Sequence, residues 1–237
     1  MVKRKTAMKI RKGHRYLGIF IGIQFLIWTI SGMYFSWTDI DEIHGDQFKK
    51  LPPENSNFEN LAGISTLIPE MKIHSISLKE VSGEPYYFVN NEKLVHAQDG
   101  KVIDEISEED ARNIAQRYVK DDFEIISVEK INEVGDHHEY RSGSFPAYVI
   151  NYAQPKNLKA YVGATDASFK TVRYRDWRWF DFLWMTHTMD YEGRDDFNNL
   201  VLRIFSLMGL ITVLSGFLLW YISSPLVRKF QKKIKQT

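Results

Sequence analysis

LGIFIGIQFLIWTISGMYFSW, residues 17–37, runs for 21 residues without a charged side chain. A bilayer core of about 30 Å takes roughly 20 apolar residues in helical form. A second run, IFSLMGLITVLSGFLLWYISSPLV at 204–227, is 24 residues long and equally free of charge. Neither shows the polar face that a buried core helix of this length carries, so both are read as membrane spans. The rival for the first run is a cleaved signal peptide. Its apolar region would be about 7–15 residues long and followed by small residues. Here Met33-Tyr34-Phe35-Ser36-Trp37 closes the run, so it is expected to stay as an anchor.

Charge gives the orientation. Lys3, Arg4, Lys5, Lys9, Arg11, Lys12 and Arg15 precede the first run, and Arg228, Lys229, Lys232, Lys233 and Lys235 follow the second. All 30 acidic residues fall between Asp39 and Asp196, where 18 cations oppose them for a net charge of −12. The overall +1 hides this basic–acidic–basic order. Lys and Arg accumulate on the cytoplasmic side of short flanks, so both termini are expected inside a bacterial inner membrane and the acidic middle outside it. The basic ends are explained by orientation and anionic headgroups, which leaves no signal for nucleic acid. With no cysteine, disulfides, thiolate metal sites and iron–sulfur clusters are excluded.

Between the spans the pattern is one of short alternating strands. Ser56-x-x-Glu59 and Ser107-x-x-Asp110 read as capping boxes, opening helices over 60–68 and 111–119. Strands are expected at 73–78, 86–89, 94–96 and 102–106 after the first helix, and at 124–131, 147–152, 159–162 and 171–174 after the second. Tyr86-Tyr87-Phe88-Val89 matches Tyr148-Val149-Ile150, and Gly100-Lys101-Val102 matches Phe169-Lys170-Thr171-Val172. The middle is therefore read as two copies of one α-β-β-β unit with antiparallel sheet. The fold class is α+β, with two transmembrane helices bracketing that duplicated domain. The expected divisions are a basic tail (1–16), span one (17–37), a linker (38–55), two lobes (56–106 and 107–175), an interfacial aromatic helix and turn (176–196), span two (197–222) and a second basic tail (223–237).

The lobes resemble the PepSY domain, and the flanks extend the likeness. Arg11-Lys12-Gly13-His14-Arg15-Tyr16-Leu17-Gly18 resembles the opening of PepSY-associated transmembrane proteins. Trp177-x-x-x-Asp181-Phe182-Leu183-Trp184-x-x-His187-Thr188 resembles the motif before their next span. Larger members of that family have four spans and include iron-siderophore reductases that carry b-type haems between histidines. This chain has two spans, half that number.

Seven histidines are the candidates for chemistry. His14, one turn before Gly18, reads either as a headgroup contact or as an axial ligand of haem iron. His187 shares a helical face with Trp177, Phe180, Trp184 and Tyr191. That face is either an interfacial anchor, in a segment 176–191 ending where Asp195 or Asp196 caps span two, or one wall of a porphyrin site. The resemblance favours haem b at both, with iron held by His14 and His187. Arg203, one turn inside span two, either snorkels to headgroups or joins Arg194 in neutralising propionates. His14 and His187 sit at opposite faces of the membrane and cannot hold one iron, so a homodimer or another membrane subunit is expected to supply the second ligands. Gly18-x-x-x-Gly22 offers a surface for such association, and Ser206, Gly209, Thr212 and Gly216 one for packing the spans together. His44, in Asp39-x-Asp41-Glu42-x-His44-x-Asp46, and His137-His138 are metal candidates but read first as solvated loops. His74 and His96 have no evident partner ligands. No phosphate loop, nucleophile–base pair or zinc-protease motif is present. Two functions follow: haem-linked electron transfer in iron uptake, or a membrane-anchored binding module acting on a partner protein or peptidase outside the membrane.

Overall fold

The computed structural model describes residues 4–53, 56–155 and 157–225. The basic residues from Arg228 onward, and Lys3, lie outside these. The chain divides into two compact units, a central domain of residues 38–180 and a helical unit made from residues 1–37 and 181–237. The first helix, α1 (Arg4–Trp37), is 34 residues long. It extends back through the basic flank, so His14 lies within the helix and not ahead of it.

The central domain opens with the short helix α2 (Ile40–Ile43), where the Asp39 carboxylate accepts the Asp41 N–H at 2.9 Å. After a single turn, α3 (Ile64–Leu67), come β1 (Ile76–Val81), β2 (Glu84–Val89), β3 (Lys93–His96) and β4 (Val102–Ile103). They form an antiparallel meander in the order β1-β2-β3-β4, with Tyr87 facing Leu78 on one side and Val95 on the other. Helix α4 (Glu108–Tyr118) follows, then β5 (Ile125–Ile131), β6 (Ala147–Tyr152), β7 (Lys159–Gly163) and β8 (Phe169–Arg173). These repeat the meander as β5-β6-β7-β8, with Val149 between Glu129 and Tyr161. All eight expected strands are present, β1 beginning three residues later than its alternation suggests.

The helices differ from expectation in one of the two copies. Ser107 and Asp110 form the full capping box, the Ser107 hydroxyl accepting the Asp110 N–H at 3.1 Å and the Asp110 carboxylate accepting the Ser107 N–H at 3.0 Å. Three acids in the first turn and Arg117 in the last complement the helix dipole of α4. The box expected at Ser56 and Glu59 does not form, and the helix expected over 60–68 shrinks to α3, whose four residues have no side-chain cap. Asn60 takes a left-handed φ of 59° and Gly63 an extended ψ of 129°, two breaks that a continuous helix cannot contain. The Ser56 hydroxyl donates instead to the Glu80 carboxylate.

One core serves both sheets. Ala111, Ile114 and Ala115 form the buried face of α4, between Phe88 and Leu94 of the first sheet and Ile150, Val162 and Val172 of the second. Each large apolar side chain buried there contributes about 1.5–3 kcal/mol. Because α4 supplies three buried residues to this core, its cap matters to the whole domain. Ser107→Ala is expected to lower unfolding stability by about 1 kcal/mol, read as a lower denaturant midpoint at unchanged slope. An unaltered midpoint would show that packing alone sets the start of α4.

The helical unit is completed by α5 (Arg175–Thr188), whose residues from Asp181 belong to it, and α6 (Leu200–Ser223). Both α1 and α6 are long and apolar enough to cross a membrane, and most of their surface faces outward. Their contacts run antiparallel: Arg11 meets Ser223, His14 meets Ser215, and Phe25 meets Gly209 and Phe205. A Cβ at Gly209 would lie 3.2 Å from the Phe25 ring, so the small residues of α6 let α1 approach closely. Gly18 and Gly22 of α1 have no atom within 4 Å of where a Cβ would stand, so that pair takes no part in joining the two helices. The cap of α6 is Asn199, which accepts the Leu202 N–H at 2.8 Å. Asp195 and Asp196 do not cap it: the Asp196 carboxylate accepts the Asn198 N–H at 2.7 Å inside the preceding turn.

Candidate functional site: two serine-held histidines

A stripe on α1 builds the first histidine site. Gln24, Trp28 and Ser31 recur at i, i+4 and i+7 and so share a helix face. The last carbonyls of a helix have no partner within it, and this stripe supplies partners to α5. Gln24 Nε2–H donates to the Thr186 carbonyl at 3.1 Å, and Trp28 Nε1–H to that of His187 at 2.6 Å. Asn199 takes the Thr188 carbonyl at 3.1 Å, and Met189 leaves the helix with a left-handed φ of 54°. The apolar run 17–37 thus carries a polar stripe after all, correcting the reading that it has none.

The His187 ring is fixed on three sides. It stacks on Trp28 with centroids 5.4 Å apart, meets the edge of Phe35 at 5.5 Å, and has Nδ1 2.7 Å from the Ser31 hydroxyl. Ser31 is fully buried, and its oxygen lies 2.9 Å from the Ile27 carbonyl. The same oxygen lies 3.1 Å from the Trp28 carbonyl, so two backbone acceptors face the single hydroxyl proton. With that proton on the backbone, Ser31 accepts from an imidazole protonated at Nδ1, the tautomer that leaves Nε2 its lone pair.

The second histidine repeats this arrangement from the other helix. His14 Nδ1 lies 2.7 Å from the Ser215 hydroxyl, and that hydroxyl donates to the Thr212 carbonyl at 2.7 Å. Ser215 thus suits the same tautomer, Nδ1–H with the lone pair on Nε2. A Cβ at Gly216 would stand 3.3 Å from His14 Cε1, so glycine there makes room for the ring. For both histidines, Nε2 has no hydrogen-bond partner among the described residues. Ser31 lies 17 residues beyond His14 on one continuous helix, or about 25 Å at about 1.5 Å per residue. The two rings form separate sites.

The other sequence candidates fall around these. Trp184 meets Phe35 and Phe197 edge-on, each at 5.7 Å, and so backs the Phe35 ring that meets His187. Tyr191 lies beyond the end of α5 and leaves the shared face. Arg203 is exposed on the first turn of α6. Arg194 is an ion-pair partner of Asp181, with only 13% and 6% of the two side chains exposed. Next to it, the Asp190 carboxylate accepts N–H groups from Asp196 at 2.8 Å and Gly193 at 3.2 Å.

Those backbone donors, Asp196 first, hold the Asp190 carboxyl below the usual carboxylate range. A pKa lowered on folding gives stability that is present above the unfolded value, about 3.9, and lost as pH falls through the folded one. Hydrogen exchange of the amides at 193 and 196 is therefore expected to lose protection below about pH 4, relative to the α6 interior. Asp190→Asn should abolish that pH dependence.

In the central domain the acidic and histidine-rich stretches have local uses. Asp39 caps α2, Asp46 pairs with Lys49 at 2.7 Å, and His44 ends α2 in an exposed position. His138 Nδ1 accepts the Tyr140 N–H at 3.1 Å, and burial lowers its pKa. His74 donates its backbone N–H to Asn90 at 3.0 Å. His96, read from sequence as having no partners, sits between Asp99 at 2.7 Å and Glu84 at 3.5 Å. No group of three or more metal-ligating side chains occurs among the described residues.

Sequence reasoning missed Ser31, Ser215 and Trp28. Their signal was weak, since a lone serine within an apolar run is common in membrane helices. Only the spacing of Gln24, Trp28 and Ser31 sets that face apart.

No curated protein and no solved structure matches the chain. Residues 2–222 match the family described as the PepSY-associated TM region. With two membrane-spanning helices and a match over nearly its whole length, the chain belongs to the family of PepSY-associated TM region proteins.

Proposed function

We propose that this membrane protein is a haem-binding electron-transfer subunit serving iron reduction, with one haem site toward each face of the membrane. The observation that carries the reading is the serine hydroxyl 2.7 Å from Nδ1 of both His14 and His187, with Nε2 left unpartnered among the described residues. A serine that accepts from Nδ1–H fixes the ring and leaves the Nε2 lone pair free, the form in which imidazole binds iron. His14 and His187 are the residues that would hold the iron, with Trp28 and Phe35 walling the His187 site and Arg203, exposed on the first turn of α6, as a cation for a propionate. Haem b, when bound, supplies a one-electron carrier. The chain's own contribution is to hold each proton on Nδ1 and to keep water from the buried Ser31. One chain offers one imidazole per site. The open faces of Gly18 and Gly22 favour a homodimer, in which a second copy supplies the other ligand. Basic flanks around an acidic centre support cytoplasmic termini in an inner membrane.

The test is a visible spectrum of the detergent-purified full chain after titration with haem b. A sharpened Soret band and a narrow α-band on reduction are expected, saturating at one haem per chain. A spectrum that stays that of free haem would overturn the reading.

A further inference from the structure

Both spans carry the same short pattern. Leu26-Ile27-Trp28-Thr29-Ile30-Ser31-Gly32 of α1 matches Leu210-Ile211-Thr212-Val213-Leu214-Ser215-Gly216 of α6, with Leu, Ile, Ser and Gly in the same places. The serines of this match are the two that hold the histidines, Ser31 at His187 and Ser215 at His14. Each is followed directly by a glycine, and that glycine lies against the same ring as its serine. A Cβ at Gly32 would stand 3.9 Å from His187 Cε1. One at Gly216 would stand 3.3 Å from His14 Cε1 and 4.0 Å from its Nε2.

Glycine weakens a helix interior relative to alanine, and in a membrane span its usual return is the close approach of another helix. Gly209 shows that use, with the Phe25 ring over it. At Gly32 and Gly216 the neighbour is different. Outside the glycine's own helix turn, the histidine ring is the only group within 4 Å of the Cβ position among the described residues. Cε1 is the ring carbon between the two nitrogens. With Nδ1 on the serine and Cε1 over the glycine, the N–C–N edge of the imidazole lies along the Ser-Gly step. A side chain at the glycine would start beside Cε1, one bond from Nε2, and so flank whatever binds there.

We infer that Gly32 and Gly216 are positioning residues of the two histidine sites. Each seats the imidazole edge on its helix and keeps the flank of Nε2 clear for a flat macrocycle. The ligand in this inference rests on the haem reading; the seat rests on the contacts alone. Serine sets the rotation of the ring, and glycine sets its depth. A porphyrin spreads sideways from the iron, so it needs clearance beside the ring that a bare metal ion does not. The two seats differ in tightness. A methyl group at position 216 would force the His14 ring to give way, and with it the hydrogen bond to Ser215. A methyl group at position 32 would make an ordinary van der Waals contact, so only a longer side chain closes that flank.

The first arm of the test is titration of the full chain in detergent with haem b. Gly216→Ala is expected to weaken binding at the His14 site about tenfold or more, the range of outer-shell losses. Gly32→Ala should bind as the parent does, and Gly32→Leu should weaken the His187 site by a similar factor. Each weakened variant keeps the other half of the absorbance, which shows that the helices still assemble. The second arm needs no haem: nitrogen NMR of the chain with isotope-labelled histidine. The ring signals of His14 are expected to change in Gly216→Ala, as Nδ1 leaves Ser215, and those of His187 to stay in Gly32→Ala. Haem binding like the parent's in both Gly216→Ala and Gly32→Leu overturns the inference, and so do His14 signals that Gly216→Ala leaves unchanged. Loss of both halves of the absorbance in one variant also overturns it, since the glycine would then serve the fold of the whole unit. A parent chain that binds no haem defeats the haem reading instead, and the nitrogen signals then decide the seat.

Discussion

His14→Ala and His187→Ala are each expected to remove about half of the haem absorbance of the reconstituted protein, and the double variant all of it. The expectation follows from the separation of the two rings on α1. At about 25 Å no porphyrin reaches both, so loss of one ligand leaves the other site intact. Replacing a serine should do less than replacing a histidine. In Ser31→Ala and Ser215→Ala the imidazole keeps its Nε2 but loses the acceptor that orients it, and outer-shell losses of this kind weaken binding about 10- to 100-fold. A role confined to packing predicts another pattern. Ser31→Ala would then lower the melting temperature of the unit without changing any spectrum. If either single histidine variant abolished the whole signal, the two sites would have to be one, against the geometry of α1. Spectra that do not respond to any of the four substitutions would leave the histidines as packing groups of a membrane anchor.

The parts of this molecule legible in its sequence are those set by local rules. Charge-free runs marked both spans, and short β-branched and aromatic runs bounded by turn signals marked all eight strands. Ser107-x-x-Asp110 marked α4 because a capping box is complete within four residues. The similar pattern Ser56-x-x-Glu59 misled because Asn60 and Gly63, just downstream, take conformations that no helix accepts, and that preference is settled by their surroundings. The same division holds at the candidate site. His14 and His187 stood out by residue type. Their partners Ser31 and Ser215 did not, since each pairing joins residues more than 150 positions apart. Arg194 is a further case: the sequence offered it as a propionate partner beside Arg203, whereas folding commits it to Asp181.

That commitment carries the second large expected effect. Arg194, in the turn that joins α5 to α6, and Asp181, within α5, bury their charges together at 13% and 6% side-chain exposure. Removing one member of such a pair leaves the other charged and out of water, at a cost of about 3–5 kcal/mol. Removing both leaves no orphan, and a well-packed apolar replacement is often neutral. Arg194→Met and Asp181→Leu are therefore each expected to lower the thermal midpoint of the detergent-purified protein markedly, and the double variant to recover most of the loss. The Thr188 hydroxyl, which also reaches the Arg194 carbonyl, and the Asp190 turn keep this loop in place when both charges are gone. The loop in turn positions the last turn of α5, where His187 is held against Trp28 and Ser31. Each single variant should accordingly weaken haem binding at the His187 site alone, leaving the His14 half of the absorbance unchanged, while the double variant restores both. Strictly additive losses in the double variant would mean that the two side chains act independently, and that the ion pair does not set the position of α5.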